Sequence, residues 1–171
     1  MGDQPSPAAP RPPVQNHLVR LCRELNDRGA RYLVVGGFAV IHHGFLRATD
    51  DIDLLIEGSP DNQGRVKKAL EFLPDQAIKE LGDDDLRDWV VVRVADDIMV
   101  VLMLMACGIS YEESIDQIEV VEVEGVRIPF ASPKLLNRMK QTYRAKDALD
   151  GRFLTDLLGM RETPGSRSVH T

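Results

Sequence analysis

The sequence predicts a mixed α/β domain of the α+β kind, a mixed β-sheet with helices packed on it, on three observations. Apolar residues recur at helical spacing in some segments and as short runs or alternations in others. Their order is helix, strand, helix, strand, helix, then four strands and a closing helix. The 171 residues, 43% hydrophobic and 28% charged, suit a single core of ordinary composition.

The elements follow in chain order. Residues 1–14, rich in proline and small polar residues, are expected to form a disordered tail, with the domain at 15–160 and a second tail at 161–171. Val14, Leu18, Leu21, Cys22 and Leu25 form a helical stripe that Gly29 stops. Tyr32–Val35 is a buried strand that enters a turn at Gly36-Gly37, and Phe38–His43 opens a helix that Gly44 ends. Asp51–Ile56 alternates as a strand, and Asp61–Leu73 reads as a helix after Ser59-Pro60. A second short helix is expected before an acidic loop at Asp83–Asp85. Trp89–Val94 and Ile98–Met105 form a hairpin around Asp96-Asp97. Ile118–Val123 and Val126–Phe130 form a second around Glu124-Gly125. Between them, Ser110–Asp116 reads as one or two helical turns. Ser132-Pro133 has the N-cap and first-turn chemistry of a helix start, with helix expected to about Arg144 and again through Leu158.

Composition narrows the function classes. No apolar stretch reaches the roughly 18 residues of a membrane helix, and the N-terminus lacks the layout of a signal peptide, so a cytoplasmic protein is expected. Cys22 and Cys107 make neither a disulfide framework nor a metal cluster, and both read as buried apolar residues. The net charge of −6 argues against a surface that is basic throughout, while leaving room for a local basic groove. With 5% aromatic residues, a base-stacking platform is not expected.

Chemistry concentrates between Val34 and Leu54. A strand that ends in Gly36-Gly37 presents backbone N–H groups with no side chain to block a phosphate. Asp51 and Asp53 are two apart on a strand, so both carboxylates leave the same face. Two such carboxylates repel unless a cation lies between them, and Mg²⁺ prefers carboxylate oxygens together with substrate phosphates. Taken singly, each half has a plain reading, a strand-to-helix turn and the wet face of an edge strand. The two in this order point to a site for a metal-bound triphosphate. Arg47 is either a phosphate partner or an ion-pair partner of Asp50 or Asp51. His42 and His43 diverge by about 100° on a helix, too far apart to serve one site easily, and His43 reads as a helix-end residue that meets carbonyls. Lys140 and Arg144 share a helix face, as do Lys134 and Arg138 one patch over.

Val35-Gly36-Gly37 followed by Asp51-Ile52-Asp53-Leu54 resembles the signature of the polymerase-β superfamily of nucleotidyltransferases. The intervening Ala39, His43-Gly44, Arg47 and Thr49 resemble a small bacterial and archaeal branch related to the abortive-infection (AbiEii-type) toxin nucleotidyltransferases. The likeness continues in Gly108–Glu113, Gly125–Pro129, Lys140 and Arg144–Asp150, and spans about residues 15–158. It implies a nucleotidyltransferase fold, Asp51 and Asp53 as Mg²⁺ ligands, and Gly36 and Gly37 at the triphosphate. It implies further that Lys140 touches the nucleotide and that Asp147 belongs to a last acidic motif. The activity implied is transfer of a nucleotide to a hydroxyl on tRNA, a protein or a small molecule. The alternative is a silent nucleotide-binding or partner-binding module of a toxin–antitoxin system. Many members of the superfamily carry a third carboxylate on a later strand, and its expected position falls near Val101, or failing that Val100, where no acid stands. Asp97, Glu119 and Glu122 are the candidates to replace it.

Overall fold

A computed structural model describes residues 8–139 and 153–159. Helix α1 (Gln15–Asp27) leads into strand β1 (Tyr32–Val35), helix α2 (Gly36–His42), strand β2 (Asp51–Ile56) and helix α3 (Pro60–Leu70). A 3-10 turn (Ala77–Glu80) and helix α4 (Asp85–Trp89) precede the hairpin of β3 (Val91–Ala95) and β4 (Met99–Met103). Then come β5 (Met105–Ala106), β6 (Ile109–Ser110), α5 (Tyr111–Ser114), β7 (Ile118–Val123), β8 (Val126–Ala131) and α6 (Pro133–Met139).

Six strands form one mixed sheet in the order β3-β4-β2-β1-β8-β7. The β2–β4 and β1–β8 pairs are parallel and the other neighbours antiparallel. Successive side chains on a strand point to opposite faces. Leu54 and Leu55 are adjacent and both fully buried, as are Leu33 and Val34, so the centre of the sheet is covered on both sides. Leu21 and Leu25 of α1, Val66 and Leu70 of α3, and Leu135 and Leu136 of α6 complete the core. The expected α/β fold, a mixed sheet with flanking helices, is the one observed.

Local chemistry explains the boundaries. Ser59 Oγ accepts the Asn62 N–H at 3.2 Å, and Ser132 Oγ accepts the Leu135 N–H at 3.2 Å, so both Ser-Pro pairs cap helices. Glu124 and Gly125 have φ of +50° and +79°, the backbone of a two-residue hairpin turn. Asp96 is buried in the β3–β4 turn, where its carboxylate accepts N–H groups from Asp75 at 3.0 Å, Ala77 at 2.9 Å and Asp97 at 2.7 Å. One aspartate thereby ties the hairpin to the loop after α3.

Some expectations differ from the structure. Trp89 does not open a strand; it ends α4 and is largely exposed. The buried Leu86 and the Val90 N–H to Leu86 O bond (2.8 Å) close a short helix over Asp85–Trp89, and the valine run forms strand only from Val91. The strand expected through Met105 stops at Met103, and Met105 begins a small hairpin whose turn is Cys107-Gly108. Cys107 is therefore exposed rather than buried, with its thiol donating to Met139 O at 2.7 Å. Cys22 is buried as expected, and burial pushes its thiol up to about 12. Within the stretch expected to be a tail, Arg11 pairs with Ile98 as a parallel bridge and with the Asp97 carboxylate at 2.8 Å. No described helix is long and apolar enough to cross a membrane.

Candidate functional site

The C-terminal end of β1 lies against the N-terminal end of β2, with Val35 opposite Asp53. Ile52 and Leu54 point into the core with no exposure, so alternation turns Asp51 and Asp53 together onto the other face, where both are half-buried. Their α-carbons are about 7 Å apart, two strand rises. A divalent cation bound by both carboxylates is compatible with that spacing.

Both glycines are required by close packing. A β-carbon on Gly36 would fall 2.7 Å from the carboxyl carbon of Asp53 and 2.8 Å from its Cβ, and Gly36 has φ +67°. A β-carbon on Gly37 would lie 2.8 Å from Thr49 Cβ and 2.9 Å from Arg47 Nη2. The glycine pair thus lets the backbone of the turn rest directly on the aspartate strand and on the segment before it. Sequence spacing alone points to a phosphate cradle. The structure adds that these residues are the floor on which Asp53, Arg47 and Thr49 converge. Thr49 is buried and donates to Asp51 O at 3.1 Å, and Arg47 Nη1 donates to Ala48 O at 2.9 Å. In the sequence, only the resemblance marks Thr49. Its role as a brace between the glycine turn and β2 depends on a loop conformation that spacing does not encode.

In the parallel β2–β4 pair Asp51 lies beside Met99 and Asp53 beside Val101, while Val100 lies beside the core residue Ile52. Val101 therefore borders the carboxylate face, and Val100 is fully buried on the opposite one. The candidates for a third acid are elsewhere. Asp97 is engaged with Arg11. Glu119 and Glu122 lie on β7, three strands from β2 and so about 14 Å away. Among the described residues no group of three His, Cys, Asp or Glu side chains could hold a metal ion. The donor set is thus two carboxylates, which suits an ion that takes its remaining ligands from phosphates and water.

A cation occupies the next position. Arg93 on β3 pairs with Val101 in register, giving the cross-strand row Val35, Asp53, Val101, Arg93 on one face. Arg93 is exposed and stands about 10 Å from Asp53, two strand spacings. No sequence signal marks it, because only strand pairing brings it near the aspartates.

His43 caps α2, with a ring nitrogen 2.9 Å from Ala131 O and the other 4.0 Å from a Glu119 oxygen. This is the carbonyl-facing role that its position before Gly44 suggested. His42 stacks on Phe130 at 4.1 Å, and burial, aided by neighbouring His43, lowers its pKa despite an opposing pull from Glu119. An apolar cavity of about 460 Å³ opens beside this pair, bounded by Phe38, Ile128, Arg47 and Thr49. The acidic loop is solvated and paired: Asp83 with Lys67 at 3.3 Å and Asp84 with Arg87 at 3.2 Å. Lys140, Arg144, Asp147 and Asp150 lie outside the described residues.

No family model matches the sequence, and no curated protein matches it. Among solved structures, the chain is similar to a Thermotoga maritima protein provisionally described as a nucleotidyltransferase. Identity is 14% and the TM-score 0.46, over 88% of this chain and 94% of that one.

Proposed function

We propose that the chain is a nucleotidyltransferase that moves a nucleoside monophosphate from an Mg-NTP to an acceptor hydroxyl. The observation that supports this reading is the approach of Gly36 to Asp53, which puts a side-chain-free backbone turn and two same-face carboxylates in one place. Asp51 and Asp53 would hold Mg²⁺, whose chemistry there is neutralisation of the phosphates. Gly36 and Gly37 would face the triphosphate, and Arg47 and Arg93 would bring positive charge to its flanks. In the transfer, the acceptor oxygen bonds to the α-phosphorus, the bond from that phosphorus to the β-phosphate oxygen breaks, and pyrophosphate leaves. The hydroxyl proton passes to solvent, since Val101 offers no base beside Asp53.

The likeness to the toxin nucleotidyltransferases extends the proposal to Lys140, Arg144 and Asp147 as nucleotide-side residues. It also brings in tRNA or a protein as acceptor and a cognate antitoxin as partner. Val101 supports a second reading, a module that binds nucleotide without turnover, because it fills the place where a third carboxylate would assist the acceptor. Incubation with each labelled NTP, Mg²⁺ and a cell extract separates the two. Label moving to a macromolecule or metabolite supports transfer, and binding without labelling supports the silent module.

The same assay tests the residues. Asp51→Asn with Asp53→Asn should abolish Mg²⁺-dependent NTP binding while leaving the fold intact, since it removes like-charge repulsion. Undiminished Mg·NTP affinity in that variant would refute the metal assignment. Lys140→Ala should weaken binding or turnover at least about tenfold through a lost charge-assisted contact, and Lys134→Ala should do little. Equal losses would indicate a diffuse basic face.

A further inference from the structure

An opening larger than the cavity beside His42 lies at the other end of β1, away from the carboxylates. It encloses about 710 Å³ between the C-terminal end of α1, the start of β1, α5 and the β7–β8 hairpin. Its charge is opposite to that of the chain. The whole protein has 27 acidic and 21 basic residues, yet among the described residues three arginines, Arg23, Arg31 and Arg127, line this cleft against one acid, Asp27.

Arg23 lies on α1, Arg31 just before β1 and Arg127 on β8, and these segments are tied together. Asn26 donates from Nδ2 to the backbone oxygen of Arg127 at 2.8 Å and accepts the Tyr32 hydroxyl through Oδ1 at 2.8 Å. One side chain thereby fixes α1, β1 and β8 around the cleft, so the guanidinium groups are mounted on a braced frame. Arg31 is held loosely by Glu57 at 3.5 Å. Arg23 and Arg127 are exposed and make no side-chain hydrogen bond or ion pair with another described residue. Glu122 is the cross-strand neighbour of Arg127 in register, and it does not close on the guanidinium within ion-pair distance.

We propose that this cleft is a second ligand site, for a phosphate-bearing molecule of nucleotide size. The volume falls within the ~300–1,000 Å³ of small-molecule sites, far more than one phosphate fills. Guanidinium groups match phosphate oxygens in bidentate geometry, and Ile118, Val120 and Pro129 give the cleft an apolar wall for the rest of the ligand. The site is independent of the carboxylate pair: β1 separates the two by about 10 Å, three strand rises, and the cleft presents positive charge without needing a metal.

The test is binding measured in EDTA, so that the Asp51–Asp53 site contributes nothing. Pyrophosphate, ATP and a fluorescein-labelled single-stranded RNA of about twelve nucleotides are titrated against the wild type and Arg23→Gln/Arg127→Gln. A double variant at paired surface arginines, Arg65→Gln/Arg87→Gln, is the control, and thermal melts check the fold of each protein. At least one phosphate ligand is expected to bind the wild type and the control alike and the cleft variant at least tenfold more weakly. Preference for ATP identifies a free nucleotide as the source of the phosphates. Preference for RNA, with a salt slope that falls by about 0.7 per arginine removed, identifies a nucleic-acid backbone. The proposal is overturned if no phosphate ligand binds, if the cleft variant binds as the wild type does, or if a polyglutamate peptide competes equally with the best of them.

Discussion

Strand β1 has two unlike ends. At its C-terminal end, Val35 and Gly36 meet the carboxylate face of β2, and the backbone is packed so closely that Gly36 has no room for a side chain. At its N-terminal end, Tyr32 meets the arginine-lined cleft, and the nearby hairpin turn at Gly125 leaves open space around its α-carbon. Both glycines have positive φ, +67° and +79°. One is required by its neighbours and by its backbone, the other by its backbone alone. Close approach of a turn to a carboxylate therefore marks the first end as the candidate chemical site, while converging side-chain charge marks the second.

Val100→Asp places a carboxylate in the core and should cost several kcal/mol, on the order of 3 or more, with or without Mg²⁺. Val101→Asp puts the same group beside Asp53, so it should destabilise the free protein and recover much of that loss when Mg²⁺ is added. Denaturant melts with and without metal check both. If Mg²⁺ rescues neither, the carboxylate face does not take the ion.

Next comes the glycine pair. Gly36→Ala should destabilise by about 2–4 kcal/mol, from a strained left-handed backbone and overlap with Asp53. Gly125→Ala should cost only about 1 kcal/mol, because nothing lies within 4 Å of its new methyl group. Equal losses in urea titrations would mean that the contact with Asp53 contributes nothing.

The smallest expected effect concerns His42. Its folded pKa is depressed below the ordinary value of about 6.5 by burial first and by His43 second. The unfolded chain therefore binds the proton more readily, so stability is full above that ordinary value and declines as pH falls through it towards the folded pKa. The groups facing the ring are His43, Glu119 and the stacked Phe130. His42→Gln should flatten the decline in melting temperature below about pH 6.5. An unchanged pH profile would assign the decline to other groups.

The sequence by itself determined whatever depends on short-range periodicity and turn chemistry. The bounds of β1 and β2, the β7–β8 hairpin and the Ser132 cap follow from alternation, glycine and Ser-Pro signals. So does the shared face of Asp51 and Asp53, since a period of two is a property of the strand alone. Alternation also put Val101 and Val100 on opposite faces, though not which neighbour either would have. Tertiary structure decided everything that depends on which strands pair. It set Asp53 beside Val101 and Val101 beside Arg93, and it moved Glu119 and Glu122 to a distant strand. It pressed Gly36 onto Asp53, and it gathered Arg23, Arg31 and Arg127 from positions that span more than a hundred residues. Trp89 shows the same limit at a boundary, where burial of Leu86 draws Trp89 into a helical turn and the strand begins only at Val91. Side-chain facing is local geometry that the chain carries with it. Which charges meet across a sheet is settled only when distant segments compete to bury the same apolar surface.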